Sequence, residues 1–472
     1  MRMNFEFEAM NAVFALQKDL SRKTPPTSLL QRRAQLLKLL DFLGSKKEAL
    51  QAAINADFQT RSAHETLAAE IMASMQEIQY TLKHLKKWMK DTPVKVPYWL
   101  QPGRAKIKLQ ALGCVGIIVP WNYPLYLAVS PLCAALSAGN RVMIKMSEQT
   151  PNFSAFFKDE IDSIFSNEEV HVVNGERSLG VAFSTLPFDH LFFTGSSAVG
   201  MEVMKACATN LTPVTLELGG KSPALITPNN DLKDAAQKII YGKLFNAGQT
   251  CIAPDYVLVP KAQREDLITQ LKAACEKLYP SLEANPDFTA IINQAHRARL
   301  QNLLLEAEMH KASIIALHPE KLNALSRKFA PTAVFLDKGS PLALMREEIF
   351  GPVLPIVTYD NLDEAIALIN AKDRPLALYV FGRDPLLIEH VLNNTVSGGV
   401  TVNGVFHHLL THELPFGGVG QSGMGAYHGK TGFDTFSQQK SVFTQSPWSL
   451  AFLLYPPYGW LFKKVMQFIM GK

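Results

Sequence analysis

Cysteine is scarce in this chain: five in 472 residues, at positions 114, 133, 207, 251 and 275. The number is odd, the spacing is wide and no Cys-x-x-Cys occurs, which argues against a disulfide framework or a zinc site. Reduced thiols in a reducing compartment follow. Long apolar runs are lacking too. No stretch of about 18 clean apolar residues exists, so no membrane-spanning helix is expected. Glu6 and Glu8 precede the first short apolar stretch, which does not fit a secretory leader. Nor does one sign of charge dominate. Lys and Arg number 47 against 42 Asp and Glu, a net +5. That gives no basis for a nucleic-acid partner and suits anionic substrates or cofactors. The densest basic run, 83–90 (KHLKKWMK), reads as a solvated helix face, because aromatics are not interleaved along it. What is abundant is apolar residue, 47% against 19% charged. Disorder is thereby excluded, and the length suits two or three domains.

Residues 7–90 read as helical, with Leu29, Leu30, Leu36, Leu37, Leu40 and Phe42 at helical spacing. From 94 to 110 the pattern becomes short alternation with prolines, which predicts an extended hairpin. A strand–helix rhythm then begins. Strands are predicted at 115–119, 142–145, 170–173, 191–193 and 214–218, with helices at 127–137, 153–165 and 198–208. Gly139 stands where a left-handed helix cap is wanted. The rhythm resumes with strands near 223–226, 256–259, 353–357, 376–381 and 399–402. Strands alternating with helices imply parallel βαβ units, here two α/β domains joined near 218–222.

Two glycine motifs are decoys. Gly418 to Gly423 matches GxGxxG by letter, but Pro415 and Phe416 precede it where a strand is needed, so it reads as a glycine-rich turn. Gly219-Gly220-Lys221-Ser222 resembles the end of a phosphate-binding loop, but Thr215 stands where its first glycine belongs. A better context is Gly195-Ser196-Ser197-Ala198-Val199-Gly200, which follows an apolar strand and opens a helix. Free backbone N–H groups there favour an anion, although an ordinary strand-to-helix turn fits as well.

Three residues carry chemistry. Cys251 ends Phe245-Asn246-Ala247-Gly248-Gln249-Thr250-Cys251, a small, polar setting for a thiol near a chain reversal, where a lone cysteine is otherwise core. A nucleophile needs a base and an oxyanion donor. Glu217 ends an apolar strand, where desolvation raises a carboxyl toward general-base values; a salt-bridged surface glutamate is the plain alternative. Asn122 lies just past the strand 115–119, at the end of the sheet where ligands bind in open α/β folds; otherwise it forms a turn between prolines.

Taken together, PWNYP, IKMSEQTP, FTGSSAVG, LELGGKSP, FNAGQTC, EEIFGPVLP and PFGGVGQSGMG, in this order from 120 to 425, resemble the aldehyde dehydrogenase superfamily. APDYV at 253–257 and GMGAYHGKTGFDTFS resemble its class 3 branch. QPGRAK, PLYLA, HLFFTGSSAVG and NLTPVTLELGGKSPA are similar to the bacterial coniferyl aldehyde dehydrogenases within it. The resemblance implies the aldehyde dehydrogenase fold. Residues 1–218 are then a Rossmann-like NAD-binding domain with an arm segment at about 90–110. Residues 219–405 are an α/β catalytic domain, and 406–472 an oligomerisation arm and amphipathic tail.

The same resemblance implies NAD(P)-dependent oxidation of an aldehyde, aromatic such as coniferyl aldehyde or medium- to long-chain aliphatic. Cys251 is the nucleophile, Asn122 the oxyanion donor, and Glu217 the base that hydrolyses the thioester. Trp121, Lys145, Glu148, Gly195, Ser196, Gly200, Leu218, Glu348 and Phe350 are the cofactor-binding set, with no metal. Glu148, which repels a 2′-phosphate, predicts NAD over NADP. Tyr123, Thr250, Ile252, Phe406 and His407 are the substrate candidates. A cytoplasmic homodimer is expected. Two alternatives are a CoA-acylating enzyme, disfavoured by Glu217, and a silent protein on the same scaffold, disfavoured because Cys251, Glu217 and Asn122 are all intact. The tail, 459–470, places Leu461, Phe462, Val465, Phe468 and Ile469 on one helical face. It is expected to dock on the protein, to gate the substrate tunnel as in similar fatty-aldehyde enzymes, or, least favoured, to touch a membrane surface.

Overall fold

The computed structural model describes residues 2–471, with the side chains of 2–5 and 450 left aside. Among these residues the strands form three sheets. The first has six strands in the order Gly423–Met424, Val214–Glu217, His190–Thr194, Cys114–Ile118, Arg141–Lys145, Val170–Val173. All pair in parallel except Gly423–Met424, which runs antiparallel to Val214–Glu217. The chain starts at Cys114–Ile118, builds outward to one side, then returns to build on the other. The order therefore reverses between Cys114–Ile118 and His190–Thr194, and ligands bind in the crevice at the carboxyl ends of such strands. Asn122 and Ser196 lie just beyond those two ends.

The second sheet has seven strands, ordered Ser313–Ala316, Thr332–Phe335, Val353–Tyr359, Tyr256–Pro260, Pro223–Ile226, Ala377–Phe381, Gly399–Val402. Only Ser313–Ala316 is antiparallel to its neighbour. Helices cover both faces of these sheets, so inner strands such as His190–Thr194 and Ala377–Phe381 are buried throughout and read as unbroken apolar runs. The predicted strands all occur, within a residue or two. The connecting helix Tyr126–Ala138 is buried along its whole length and ends at Gly139, at φ +93°.

The third sheet is an arm. Thr92–Val94, Arg104–Ala111 and Ser437–Thr444 pair antiparallel, with Arg104 opposite Thr444 and Ala111 opposite Ser437. The N-terminal helices Leu29–Ser45, Lys47–Phe58 and Ala73–Trp88 pack beside the first sheet, and Ser28 with Gln31 forms a reciprocal cap at the start of Leu29–Ser45. Thr66–Met72 is a wide π-helical turn, a feature often found at functional sites. The tail forms the helix Trp460–Ile469, as its periodicity predicts. It rests near the arm turn Tyr98–Leu100, with Tyr98 edge-on to Phe468 at 6.0 Å. No helix among the described residues is long and apolar enough to cross a membrane.

Candidate active site

Cys251 follows a chain reversal that ordinary residues resist. Asn246, Ala247 and Gly248 take successive left-handed conformations, at φ +51°, +52° and +74°. At Gly248 a Cβ would lie 2.5 Å from the Gly351 carbonyl oxygen, so no larger residue fits. Side chains from distant parts of the chain clamp this reversal. Asn246 N–H donates to Glu65 Oε2 at 2.9 Å. The Gln249 amide donates to the Asn246 and Ala290 carbonyls, both at 3.0 Å, and accepts from Ile292 N–H at 2.9 Å. Tyr379 donates its hydroxyl to the Ile252 carbonyl at 2.5 Å.

Asn122 is tied into the same unit. Its side-chain Nδ2 donates to the Gln249 carbonyl at 3.1 Å. Its carbonyl accepts from Asn246 Nδ2 and from Arg61 Nη1, both at 3.0 Å. Arg61 lies between the rings of Phe58 and Tyr123 and pairs with Glu70 at 3.3 Å, both side chains fully buried. Glu70 in turn accepts from Leu125 N–H at 2.8 Å. An amide carries two N–H groups, and Gln249 uses one of them.

Glu217 ends the strand Val214–Glu217 and is 3% exposed. Neither carboxyl oxygen has a hydrogen-bond partner, and burial holds its pKa well above the usual carboxylate range. Its carbonyl accepts from Gly195 N–H at 3.0 Å, which links it to the helix start at Ser197. Cys251 is the one cysteine of the five that is not buried. Its thiol is nonetheless pushed far up, first by desolvation, then by the charges of Glu348 and Glu217, while the N–H groups of Cys251 and Ile252 oppose the rise. The sulfur thus lies within electrostatic reach of two buried carboxyls.

The residues expected at a dinucleotide fall along the crevice. Ser196 caps the helix Ser197–Ala208 by accepting from Val199 N–H at 3.5 Å. A Cβ at Gly200 would meet Leu218 Cδ2 at 2.7 Å, so glycine lets that helix approach Leu218. Lys145 is buried and donates to the Met146 and Gly175 carbonyls at 2.6 and 2.8 Å. Glu148 is exposed close by. Its charge and that of Glu176 act on Lys145, but burial prevails and lowers the ammonium pKa. Trp121 stands edge-on to Phe350 at 5.3 Å, and Phe350 is itself left-handed, at φ +51°. The Glu348 carboxyl fills the space a Cβ would need at Gly219. Burial, then the charge of Asp255, pushes its pKa up to about 8, and its Oε1 has no partner. A polar, partly unsatisfied crevice beside a helix N-terminus fits a dinucleotide: hydroxyls for the orphaned carboxyl oxygen, phosphates for the free N–H groups.

Of the substrate candidates, Tyr123 and Thr250 are buried and joined hydroxyl to hydroxyl at 2.7 Å. Ile252 is buried beside them in sequence. Phe406, at φ +68°, packs its ring against Tyr241, Phe245 and Tyr379. His407 is exposed and turned against Gly404. The GxGxxG look-alike is a turn whose Gly423 pairs with Glu217 in the sheet, and Lys221 is held by Asp255 and the Leu344 and Glu347 carbonyls. Among the described residues no group of His, Cys, Asp or Glu is arranged to hold a metal. Sequence reasoning missed Arg61, Glu65, Glu70 and Gln249. No periodicity marked them: Arg61 lies in the loop before the short helix Ala63–Glu65.

With this geometry in view, the similarity to known proteins is informative. Residues 8–442 match the aldehyde dehydrogenase family. The chain is 48% identical to a probable coniferyl aldehyde dehydrogenase of Pseudomonas aeruginosa, covering 98% of this chain and 96% of that protein. It is 44% identical to the coniferyl aldehyde dehydrogenase of a Pseudomonas strain, covering 89% and 88%. The solved substrate-bound state of Staphylococcus aureus AldH superposes with a TM-score of 0.92 at 38% identity, covering 98% of this chain and 99% of that one.

Proposed function

The chain belongs to the aldehyde dehydrogenase family and oxidises an aldehyde to its carboxylic acid; from that premise we propose that Cys251, Asn122 and Glu217 carry the reaction, and that NAD is preferred to NADP. The observation that carries the assignment is a buried carboxyl with no hydrogen-bond partner whose charge acts on a desolvated thiol, in one unit with an amide that has an uncommitted N–H.

Cys251 attacks the aldehyde carbon to give a thiohemiacetal. The free N–H of Asn122 and the backbone N–H of Cys251 hold the developing oxyanion. Gln249 fixes the Asn122 amide through its other N–H, so no rotation is needed when the aldehyde arrives. Bound NAD supplies the hydride acceptor. Glu217 then takes a proton from the water that hydrolyses the Cys251 thioester, which requires the ionised carboxyl.

Ser196, Trp121, Gly195, Gly200 and Leu218 form the pyrophosphate side, Lys145 and Glu148 the adenosine-ribose side, and Glu348 and Phe350 the nicotinamide side. The substrate is an aromatic aldehyde of the coniferyl type, in line with the names of two relatives and with the aromatic packing at Phe406. Tyr123, Thr250, Ile252, Phe406 and His407 shape its channel. The division at residue 218 separates the cofactor and catalytic domains, and that at 405 separates the catalytic domain from the oligomerisation arm and tail. The enzyme is a cytoplasmic homodimer, supported by the free edges of the arm strands Thr92–Val94 and Ser437–Thr444. Comparing kcat/KM for coniferyl, benzyl and long-chain aliphatic aldehydes tests the substrate class. A long-chain aldehyde preferred tenfold or more over coniferyl aldehyde would overturn the aromatic reading.

A further inference from the structure

We propose that the wide turn Thr66–Met72 sets the register of the reacting loops: it brings Glu65 and Glu70 to one side, and through them and Arg61 it fixes the Asn122 amide against Cys251. Arg61, Glu65 and Glu70 are then positioning residues. This rests on the assignment of Asn122 as the oxyanion donor.

The turn interrupts a longer helical run. The chain is α-helical over Ala63–Glu65, widens at Thr66–Met72 and is α-helical again over Ala73–Trp88. The i→i+5 hydrogen bonds of such a turn take in one residue more than those of an α-helix. On an unbroken α-helix, residues five apart would point about 140° from each other. Here Glu65 and Glu70 are both buried, while Leu67 and Ala68 between them are exposed.

Each carboxyl holds one of the two reacting loops. Glu65 Oε2 accepts from Asn246 N–H at 2.9 Å and from the Thr289 hydroxyl at 3.3 Å, so it bears on the reversal before Cys251. Glu70 Oε2 accepts from Leu125 N–H at 2.8 Å and from Tyr126 N–H at 3.4 Å. These N–H groups open the helix Tyr126–Ala138, whose N-cap residue, Leu125, makes no side-chain cap. Glu70 therefore caps that helix from another one, with its charge at the positive end of the dipole. The two loops meet where Asn246 Nδ2 donates to the Asn122 carbonyl at 3.0 Å.

Arg61 joins the carboxyl to the amide. Its Nη1 donates to the Asn122 carbonyl at 3.0 Å and its Nη2 to Glu70 Oε1 at 3.3 Å, while Nε has no partner. Both side-chain bonds thus bear on the segment 122–126. The Phe58 and Tyr123 rings each lie 4.9 Å from the guanidinium, and the side chain is fully buried. Replacing a buried pair of this kind by apolar residues of like volume is often neutral for stability. What the pair supplies and apolar residues would not is direction, because the guanidinium is a rigid fork of fixed donors.

The test is a cycle of variants in the full-length enzyme. It is read by the stopped-flow burst of NADH with coniferyl aldehyde and by calorimetry of NAD binding. Asn122→Ala alone should slow the burst by about 10²–10³; an unchanged burst refutes the oxyanion assignment itself. Arg61→Met is made together with Glu70→Gln, so that no buried charge is left unpaired and the Gln oxygen still accepts from Leu125 and Tyr126. This double variant should slow the burst by about ten- to a hundredfold at unchanged NAD affinity, since a misplacement of about 1 Å costs about 10²-fold. Added to Asn122→Ala, the same two changes should cost less than about twofold, because no amide remains to be placed. Losses that multiply in the combined variant overturn the proposal, since the pair then acts on something other than Asn122. A folded double variant with a wild-type burst overturns it too, by making the pair structural only. Arg61→Lys keeps the charge and gives up the fork, and it carries the same cycle if the double variant does not fold. Slowing of equal size with and without Asn122 would then be the overturning result. Deletion of Ala68 returns the turn to α-helical register and should slow the burst as much as the double variant; a folded deletion enzyme with a wild-type burst refutes the role of the turn.

Discussion

Replacing Glu217 by glutamine changes one atom at a group that has no hydrogen-bond partner, so its consequences separate cleanly. The amide cannot take a proton from water. Acylation of Cys251 and hydride transfer proceed, but thioester hydrolysis loses its base, which costs roughly 10²–10⁴ in rate. Stopped-flow mixing with saturating aldehyde and NAD should show one NADH per active site formed quickly, followed by a steady state slower by that factor. The burst itself should reach full rate at lower pH, because Glu217 is one of the two charges that raise the Cys251 thiol. In the wild-type enzyme burial raises the Glu217 pKa, so the active carboxylate appears only as pH rises, and deacylation must accelerate with pH. Stability moves oppositely. A raised carboxyl contributes stability that is fully present below the unfolded value of about 4.3 and is lost as pH rises through the folded value. Between those two values the wild-type protein loses about 1.4 kcal/mol per pH unit relative to the Glu217→Gln variant. Melting temperatures of the two proteins should therefore diverge with pH in favour of the variant. Full steady-state turnover without a burst, or melting profiles that stay parallel over this range, would refute the reasoning.

Cys251→Ser should abolish oxidation while NAD still binds, as read by calorimetry; the buried Cys114, Cys133, Cys207 and Cys275 should each be replaceable by alanine with turnover retained. NAD should exceed NADP in kcat/KM, because Glu148 repels a 2′-phosphate and Lys145 is already held by two carbonyls; an equal or higher value for NADP would show that Lys145 releases them. Gly248→Ala forces a Cβ against the Gly351 carbonyl oxygen at a left-handed position. It should cost at least about 1–2 kcal/mol in denaturant unfolding and lower kcat more than it changes the KM for NAD.

The parallel strands were legible because each is an apolar run covered on both faces, and Gly139 was legible because only a left-handed cap needs glycine there. Ser313–Ala316 was not, since an exposed edge strand has no buried face to impose a pattern. Gly423–Met424 is two residues long, too short to show any period. Arg61, Glu65 and Glu70 look in sequence like a solvated helix face. Only the fold reveals them as a buried set under the loops of Asn122 and Cys251. The tail helix was visible through its period, but which part of its apolar face the chain covers depends on the turn at Tyr98–Leu100, 360 residues away in sequence.

Those buried charges explain how two sheets present one reactive centre. Asn122 hangs from the end of Cys114–Ile118 in the six-stranded sheet, and Cys251 stands just before Tyr256–Pro260 in the seven-stranded one. Apolar packing alone would not set the distance between two such loops to within the few tenths of an ångström that oxyanion binding demands. Here the Asn122 carbonyl accepts from both Arg61 and Asn246, its amide donates to Gln249, and Tyr123 joins Thr250. Every one of these contacts spans more than 60 residues of sequence, so the loops are fixed to each other rather than to their own strands. Arg61 is in turn held by Glu70, and Asn246 by Glu65. Desolvation raises both of these carboxyls, opposed by Arg61 and by the N–H groups they accept from. Glu217 has no hydrogen-bond partner, and burial raises both its carboxyl and the Cys251 thiol. Within one polar cluster, the partnered groups thus hold the geometry, and the Glu217 carboxyl is left free to react.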